Sequence, residues 1–441
     1  MFNCKRFAES LAFYRKFQTG IAVAVLSLSA GAIAQPASAN TLTPEQTLGK
    51  ALFFDKSLSN TGQQACGSCH STSTGFTDPD KSHPTSKGDN PLLFGNRNTP
   101  TAMYQAYSPE FGYDATEGLW VGGQFLDGRA ATLEIQAMAP FLNPVEMGNA
   151  SKAAVIAKLQ SGINAAAFTQ LYGAEIFNDV DNAYDKVAQA IASYERSYEL
   201  SPFTSKFDYY LKGEAKLTQS EQRGLALFND PMKGNCAACH ISEPLADGTP
   251  PLFTDFTYDN IGIPKNYGSD FLALDDEFNP DGTSFIDYGL GGVLDDEDLY
   301  GAFKVSTLRN IAITGAYGHN GWFDGPNGLA NIVDFYATRD VKPQCASSNI
   351  SSTEAMLLGC WPEAEFPDQM NVDELGNLPL NKWEKQYIVS FLGTLTDGYS
   401  FAAVPEPQTW ALMIVGLGGV GAGMRRSRRK QAKPAIQKTA S

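Results

Sequence analysis

The sequence predicts a mainly α-helical fold made of two similar units in tandem. Three observations predict it. A pentapeptide occurs twice, as Cys66-Gly67-Ser68-Cys69-His70 and Cys236-Ala237-Ala238-Cys239-His240. A helix start precedes each copy, with Thr43 as N-cap and Gln46 three residues on in the first, and Thr218 with Glu221 in the second. This is the capping-box pattern, in which side chain and backbone satisfy each other's end groups. Between the copies, Val187, Ile191 and Tyr194 recur near helical spacing. Helix, short loop and pentapeptide, repeated, is an internal duplication.

The elements follow in order. Residues 1–39 carry a basic start (Lys5, Arg6, Arg15, Lys16), an apolar run Gly20–Ala34 and then Ala37-Ser38-Ala39, which reads as a secretory signal peptide. A helix then runs from Pro44 through Leu48, Ala51 and Leu52 toward Phe53-Phe54-Asp55. Helices are expected at Ala153–Leu159 and Ala183–Leu200, the second ended by Ser201-Pro202-Phe203. The boundary between a first unit, 40–205, and a second, 206–403, falls there. Residues 243–300, rich in Gly, Pro and Asp, read as a long surface loop. Its acidic runs 275–277 and 295–298 lack the Glu of a calcium-binding EF-hand loop and read as solvated. Phe303–Ile313 and Leu329–Tyr336 read as helix or strand, and Leu378–Leu395 as a closing helix. At the end, Val404-Pro405-Glu406-Pro407, an apolar run Trp410–Met424 and the cluster Arg425–Lys430 precede a basic tail, 431–441. A short apolar run with basic charges behind it reads as a membrane stop.

The 441-residue chain carries a formal net charge of -15. Both terminal segments are basic, so the middle is more acidic still. That excludes nucleic-acid binding, which needs a basic face, and allows a basic partner to be steered in. Of seven Cys, Cys4 lies in the signal segment and four in the pentapeptides. Cys345 and Cys360 remain, and an exported chain is expected to join them in a disulfide.

C-x-x-C-H is the attachment signature of c-type haem, two thiols fixing the porphyrin and the His ligating iron. Zinc would need four ligands per site, and outside the motifs only His83, His319 and three Cys are left. A redox dithiol does not require the His. The fold expectation is therefore two cytochrome c-like domains, each with one covalent haem, packed around an inter-haem interface. Cys66, Cys69 and His70 hold the first haem and Cys236, Cys239 and His240 the second.

Beyond the motifs, five stretches carry a resemblance: Leu48–Asp55, Asn96-Arg97-Asn98-Thr99-Pro100-Thr101, Asp127-Gly128-Arg129-Ala130, Asn143-Pro144-Val145-Glu146-Met147 and Leu308-Arg309-Asn310. With them the chain resembles the bacterial di-haem cytochrome c peroxidases, including the MauG-like branch, over nearly all of residues 43–397. The resemblance implies that the first haem is the peroxide site, with Glu146 as acid–base and Gln136 beside it; from the residues alone Glu146 reads as a surface or capping carboxylate. It implies a Ca²⁺ ion between the haems, held by the Asn98 side chain and the Thr314 and Ala316 carbonyls, where Asn98 alone reads as a turn residue. It places His319 near the second haem without ligating it, and leaves His83 open between ligand and loop surface. The family's usual Met ligand of the second haem matches Tyr336, as in MauG-like members; the alternative is a packed tyrosine, with Met356 or Met370 as ligand. The family's inter-haem Trp matches Leu126, which cannot relay charge, with Trp120 nearby. The C-terminal segment 404–430 resembles the PEP-CTERM sorting signal of Gram-negative bacteria.

The expected function is an exported oxidoreductase of the cytochrome-c peroxidase type, reducing H2O2 with electrons from a small donor protein such as a cytochrome c or cupredoxin. The alternatives are a MauG-like oxidase that oxidises side chains of a partner protein through high-valent iron, and a non-enzymatic electron carrier. Many members of that family dimerise, and the sequence leaves open whether this chain forms a homodimer. The expected location is the periplasm or cell surface, with transient inner-membrane anchoring through the C-terminal segment.

Overall fold

The architecture is that of a computed structural model, which describes residues 41–401. The signal segment, the sorting segment and the basic tail lie outside the described residues. Helices dominate the regular structure. The first half contains α1 (Pro44–Phe53), α2 (Cys66–Cys69), α3 (Leu133–Leu142), α4 (Lys152–Ser161), α5 (Ala165–Tyr172) and α6 (Val180–Glu195). The second contains α7 (Lys206–Leu211), α8 (Gln219–Asn229), α9 (Gly289–Leu294), α10 (Ile311–Thr314), α11 (Gly328–Thr338), α12 (Ser352–Leu358) and α13 (Lys382–Gly393). Two short antiparallel pairs accompany them, β1 (Gly112–Asp114) with β2 (Leu119–Val121), and β3 (Tyr258–Asp259) with β4 (Phe303–Lys304).

Both capping boxes form. Gln46 N–H donates to Thr43 Oγ1 at 3.1 Å and Glu221 N–H to Thr218 Oγ1 at 3.3 Å. The repeat extends to packing. α1 lies against α6, and α8 against α13. Each contact is made at a glycine: a Cβ on Gly49 would sit 1.8 Å from the Ala190 carbonyl oxygen, and one on Gly224 would sit 1.9 Å from that of Tyr387. Only a residue without a side chain lets the helix backbones approach so closely.

One core gathers Leu48, Leu52 and Phe53 with Val155, Leu159, Val187 and Ile191. A second gathers Phe207, Phe228, Phe253, Ile388 and Phe391, and a third Trp322, Phe323, Phe335 and Trp361. Residues 41–397 fall in one compact unit. Gly398–Phe401, the described part of the second unit, include a Tyr399–Phe401 ring contact.

Two expectations change. The helix expected to reach Leu200 stops at Glu195, because the chain turns so that the Leu200 carbonyl can accept from Tyr104 N–H at 3.0 Å. The 243–300 stretch is not merely surface: Leu252, Phe253, Ile263, Phe271 and Leu290 are buried. They show no long period because they come from loop backbone, from a single 3-10 turn at Phe271 and from the six-residue α9 at Leu290. The acidic runs within it are exposed, as expected. Cys345 and Cys360 form a disulfide with Cα atoms 5.0 Å apart. Among the described residues no helix is long and apolar enough to cross a membrane.

Gly224→Ala is expected to lower stability by about 1–3 kcal/mol, the usual range for overpacking, measured as a lower thermal midpoint. The same change at exposed Gly393, which faces open space, serves as the control.

Candidate functional site

Each pentapeptide opens on its own cavity. Cys66, Cys69 and His70 line the first, of about 190 Å³, and Cys236, Cys239 and His240 line the second, of about 280 Å³. The cavities adjoin. Asn98–Thr101, Gln105, Leu126 and Lys304–Thr307 line both.

The two histidines are held alike. His70 Nδ1 lies 2.9 Å from the Phe76 carbonyl oxygen and His240 Nδ1 lies 2.8 Å from that of Phe253. With the proton on Nδ1, Nε2 keeps its lone pair for a metal. Burial lowers both imidazole pKa values, that of His240 to about 4, so the rings are neutral and able to ligate. None of the four cysteines is in a disulfide. Burial pushes the Cys69 and Cys236 thiols up to about 12. Reactive dithiols and zinc thiolates need the opposite shift. Neutral thiols, a neutral histidine and a largely apolar cavity fit a covalently attached haem at each pentapeptide.

The first cavity receives one face of α3 (Leu133, Gln136, Ala137, Pro140) and the Ile191–Glu195 end of α6. Glu146 sits in the turn after α3, where its N–H donates to the Asn143 carbonyl at 3.0 Å. Its own carbonyl accepts from Asp89 N–H at 2.6 Å. Gly88 allows that approach, since a Cβ there would lie 2.5 Å from the Val145 carbonyl oxygen. Burial raises the Glu146 pKa above the ordinary carboxylate value, against the smaller opposing effects of Asn143 and Arg129. Glu146 and Gln136 thus meet in the cavity of the first pentapeptide.

The second cavity receives Leu329, Ile332, Val333 and Tyr336, one face of α11. The Tyr336 hydroxyl has no hydrogen-bond partner among the described residues, and burial, then the nearby Cys239, raises its pKa. Met356 and Met370 line neither cavity. His319 lines the second, its Nε2 2.9 Å from Glu365 Oε2 and its ring stacked on Phe303 at 3.9 Å. His83 lines neither; its Nδ1 lies 2.7 Å from Asp270 Oδ2. Trp120 stacks on Phe111, and no tryptophan lines either cavity. A Cys239–Asp259–Glu374 cluster borders the second cavity, but a sulfur bonded to haem carbon is no longer a thiolate ligand.

Two of the stretches that carry the resemblance join at the shared wall. Arg97 donates through Nε and Nη2 to both Asp287 oxygens at 2.6 Å, and through Nη1 to Asp127 Oδ2 at 2.6 Å. Arg129 Nη1 also donates to Asp127, at 2.8 Å. Burial raises the Asp287 pKa, but Arg97 outweighs it, and the carboxyl stays below its usual range. In the third, fully buried Arg309 donates to both Asp208 oxygens at 2.8 and 3.0 Å.

Asn98, Thr314 and Ala316 also meet, but the two backbone carbonyl oxygens are in use. Asn98 Nδ2 donates to the Ala316 carbonyl at 2.8 Å; the Thr314 carbonyl accepts from Lys81 Nζ at 2.6 Å and Thr77 Oγ1 at 2.9 Å. Ca²⁺ needs 6–8 oxygen ligands at about 2.3–2.6 Å. An ion on the Thr314 oxygen would lie within about 5 Å of the ammonium already bound there. The expected ligand set does not fit Ca²⁺ in this arrangement.

Two residues at the cavities were not singled out from the sequence. Glu195 is buried in the first cavity wall, its Oε2 without a partner, and burial lifts its pKa to about 8. It stands four residues after Ile191 on the apolar stripe of α6, and a carboxylate on such a stripe was the available signal. Lys304 is buried in the shared wall, donates to the Gly123 carbonyl at 2.6 Å, and is lowered by burial to about 7. Nothing in its local sequence marks it.

The cavities, cysteines and histidines define a di-haem c-type protein. The family model described as "Di-haem cytochrome c peroxidase" matches residues 43–216, and a PEP-CTERM protein-sorting motif matches residues 403–429. The chain is 37% identical over 357 residues to the methylamine utilization protein MauG of Paracoccus denitrificans, covering 79% of this chain and 88% of that protein. It is 32% identical to the cytochrome c551 peroxidase of Nitrosomonas europaea, covering 79% and 94%. The crystal structure of the diheme peroxidase BthA from Burkholderia thailandensis aligns with TM-score 0.68 at 31% identity, covering 81% and 87%. The chain belongs to the di-haem cytochrome c peroxidase and MauG family, is an oxidoreductase of that class, and carries a PEP-CTERM protein-sorting motif.

The raised Glu195 pKa has a stability consequence. In the unfolded chain the carboxyl loses its proton near 4.5, and in the fold near 8. The fold then binds the extra proton between those values, so stability falls as pH rises from about 4.5 to 8. Glu195→Gln is expected to flatten that decline in thermal midpoints recorded across pH 5–8.5.

Proposed function

We propose that the protein is an exported di-haem c-type peroxidase that reduces H2O2 to water with electrons from a small redox donor. It would be built as two cytochrome c-like domains, the first holding the peroxide-reactive haem and the second the electron-transfer haem, and act in the periplasm or at the cell surface. The observation that carries the reading is Glu146, a carboxyl with a raised pKa, with Gln136 in the cavity of Cys66–His70. The stoichiometry is H2O2 plus two electrons and two protons to two waters. The haems supply the iron redox chemistry when bound. Glu146 takes the proton from the inner peroxide oxygen and returns it to the outer one, which leaves as water, while the Gln136 amide orients the substrate. A raised pKa suits this relay, because the carboxyl must both accept and release the proton. Both other histidines are engaged, His83 with Asp270 and His319 with Glu365. That speaks against a bis-histidine electron carrier.

A second reading, a MauG-like oxidase acting on a partner protein, is favoured by one observation: Tyr336 presents an unpaired hydroxyl to the second cavity. Leu126 in the shared wall weighs against it, since it offers no ring to share charge between the haems.

H2O2 added to the ferric holoprotein with and without a reduced small cytochrome separates the readings. Fast cytochrome oxidation supports the peroxidase. A long-lived oxidised state with poor cytochrome oxidation supports the second reading, and two haems inert to peroxide even after partial reduction sink both. Glu146→Gln is expected to lower turnover about 100-fold or more, the scale of lost general acid–base help, with both haem absorptions intact. Full activity in that variant removes Glu146 from the mechanism. Tyr336→Met is expected to shift the second haem's absorption and raise its potential, because thioether ligation favours the reduced metal. An unchanged spectrum means that Tyr336 is a packing residue.

A further inference from the structure

We propose that Lys81 is the built-in cation of the inter-haem site, its ammonium doing the work that a divalent ion would otherwise do, so that this protein needs no Ca²⁺ to join its two haem environments. Three observations converge. The Lys81 ammonium donates to the Thr314 carbonyl at 2.6 Å. Its stem lies across Gly315, where a Cβ would come within 2.5 Å of both Cε and Nζ. Gly315, at φ +94, therefore provides the space for the lysine as well as the turn that aims the Thr314 carbonyl at it. Finally, the carbonyls that could hold an ion are already satisfied within the protein: the Thr314 oxygen also accepts from Thr77 Oγ1 at 2.9 Å, and the Ala316 oxygen accepts from Asn98 Nδ2 at 2.8 Å.

The position explains what the cation does. Thr77 and Lys81 follow the first pentapeptide by seven and eleven residues, and Thr314 and Ala316 line the second cavity. The ammonium thus fastens the loop after the first haem motif to the wall of the second. A covalently tethered cation has two advantages over a free ion. It is not lost to chelation, and its local concentration does not depend on the surroundings. Its contribution is also singly charged, which a half-exposed loop can accommodate, with Asp78 as the nearby countercharge. This inference holds whether the chain reduces peroxide or oxidises a partner.

The test uses the di-haem holoprotein, its metal content by elemental analysis, and its thermal midpoint and EPR spectrum with EGTA or added CaCl2. Wild type is expected to hold less than 0.1 Ca²⁺ per chain, on the order of background, and to show the same midpoint and spectrum in both conditions. Lys81→Met is expected to melt lower in EGTA, to bind Ca²⁺, and to recover its midpoint when CaCl2 is added. Adding Asn98→Ala to that variant should abolish the recovery, which separates this site from Ca²⁺ on the acidic surface. Lys81→Arg, which keeps the charge, should remain indifferent to both reagents. A stoichiometric Ca²⁺ in wild type whose removal shifts its midpoint overturns the proposal. So does a Lys81→Met protein that is indifferent to both reagents, or one that is destabilised but takes up no Ca²⁺, because Lys81 would then be an ordinary polar contact.

Discussion

The shared wall between the two cavities depends on one guanidinium. Arg97 is held by Asp287 on one side and Asp127 on the other, with all contacts at 2.6 Å. Asp127 follows Leu126, whose side chain lines both cavities. Asp287 comes from the second half of the chain, 190 residues away. Burying such a cluster is costly, and an ion network of this kind is weak evidence for net stability. What it supplies is register. A carboxylate pair that accepts a planar fork in fixed directions leaves little freedom for the backbone on either side. The wall segments Asn98–Thr101 and Lys304–Thr307 both join this region: the first follows Arg97 directly, and Lys304 N–H donates to the carbonyl of Leu126, the residue before Asp127, at 2.8 Å.

Two copies of one unit have been driven apart by what faces them. Their common parts remain recognisable: capped helix, glycine contact, buried phenylalanines, histidine bonded to a backbone carbonyl. The differences lie in the elements that close each cavity. α3 brings an amide to the first, the turn after it one carboxyl, and α6 a second. α11 brings leucine, isoleucine, valine and a phenol to the second. A carboxyl and an amide facing the first motif suit bond cleavage in a small polar substrate, whereas the α11 face offers the second motif an apolar cover with one phenol, the carboxylates of that cavity (Asp259, Asp287, Glu365, Glu374) lying on its other walls. The division of labour proposed for the two haems follows from these linings rather than from the motifs, which are alike.

Much of this was legible beforehand, for identifiable reasons. The pentapeptides and capping boxes are local, so their chemistry is written in adjacent residues. α8 was readable from its capping box and α13, within the wider expected span Leu378–Leu395, from its apolar residues. Glu146, Gln136 and Tyr336 were assigned through resemblance, and the structure brings each to a cavity. Glu195, Lys304 and Lys81 were not found. A lone charged residue has the same local signature whether solvent or protein surrounds it, and the partner that decides is distant in the chain: the Gly123 carbonyl lies 181 positions from Lys304, and the Thr314 carbonyl 233 from Lys81. The loop 243–300 was misjudged for a related reason: its buried residues serve a cavity rather than a helix face, and a cavity imposes no period on the chain.

Leu126 bears on which chemistry the wall permits. An aromatic ring between two redox centres can itself give up an electron, so that an oxidising equivalent is spread over both. A saturated side chain has no such orbital within reach, and the rest of the wall is threonine, proline, valine, serine, lysine, glutamine and asparagine. In the proposed peroxidase, electrons would still cross it, because the cavities adjoin, but one at a time, with the charge on one side or the other. Delivering two single electrons in sequence is what peroxide reduction requires. Holding a delocalised oxidising pair until a protein partner arrives requires more than this wall offers. A tyrosine at the second cavity with leucine at the shared wall separates the two features that the second reading needs together, which is why the peroxidase is the reading proposed.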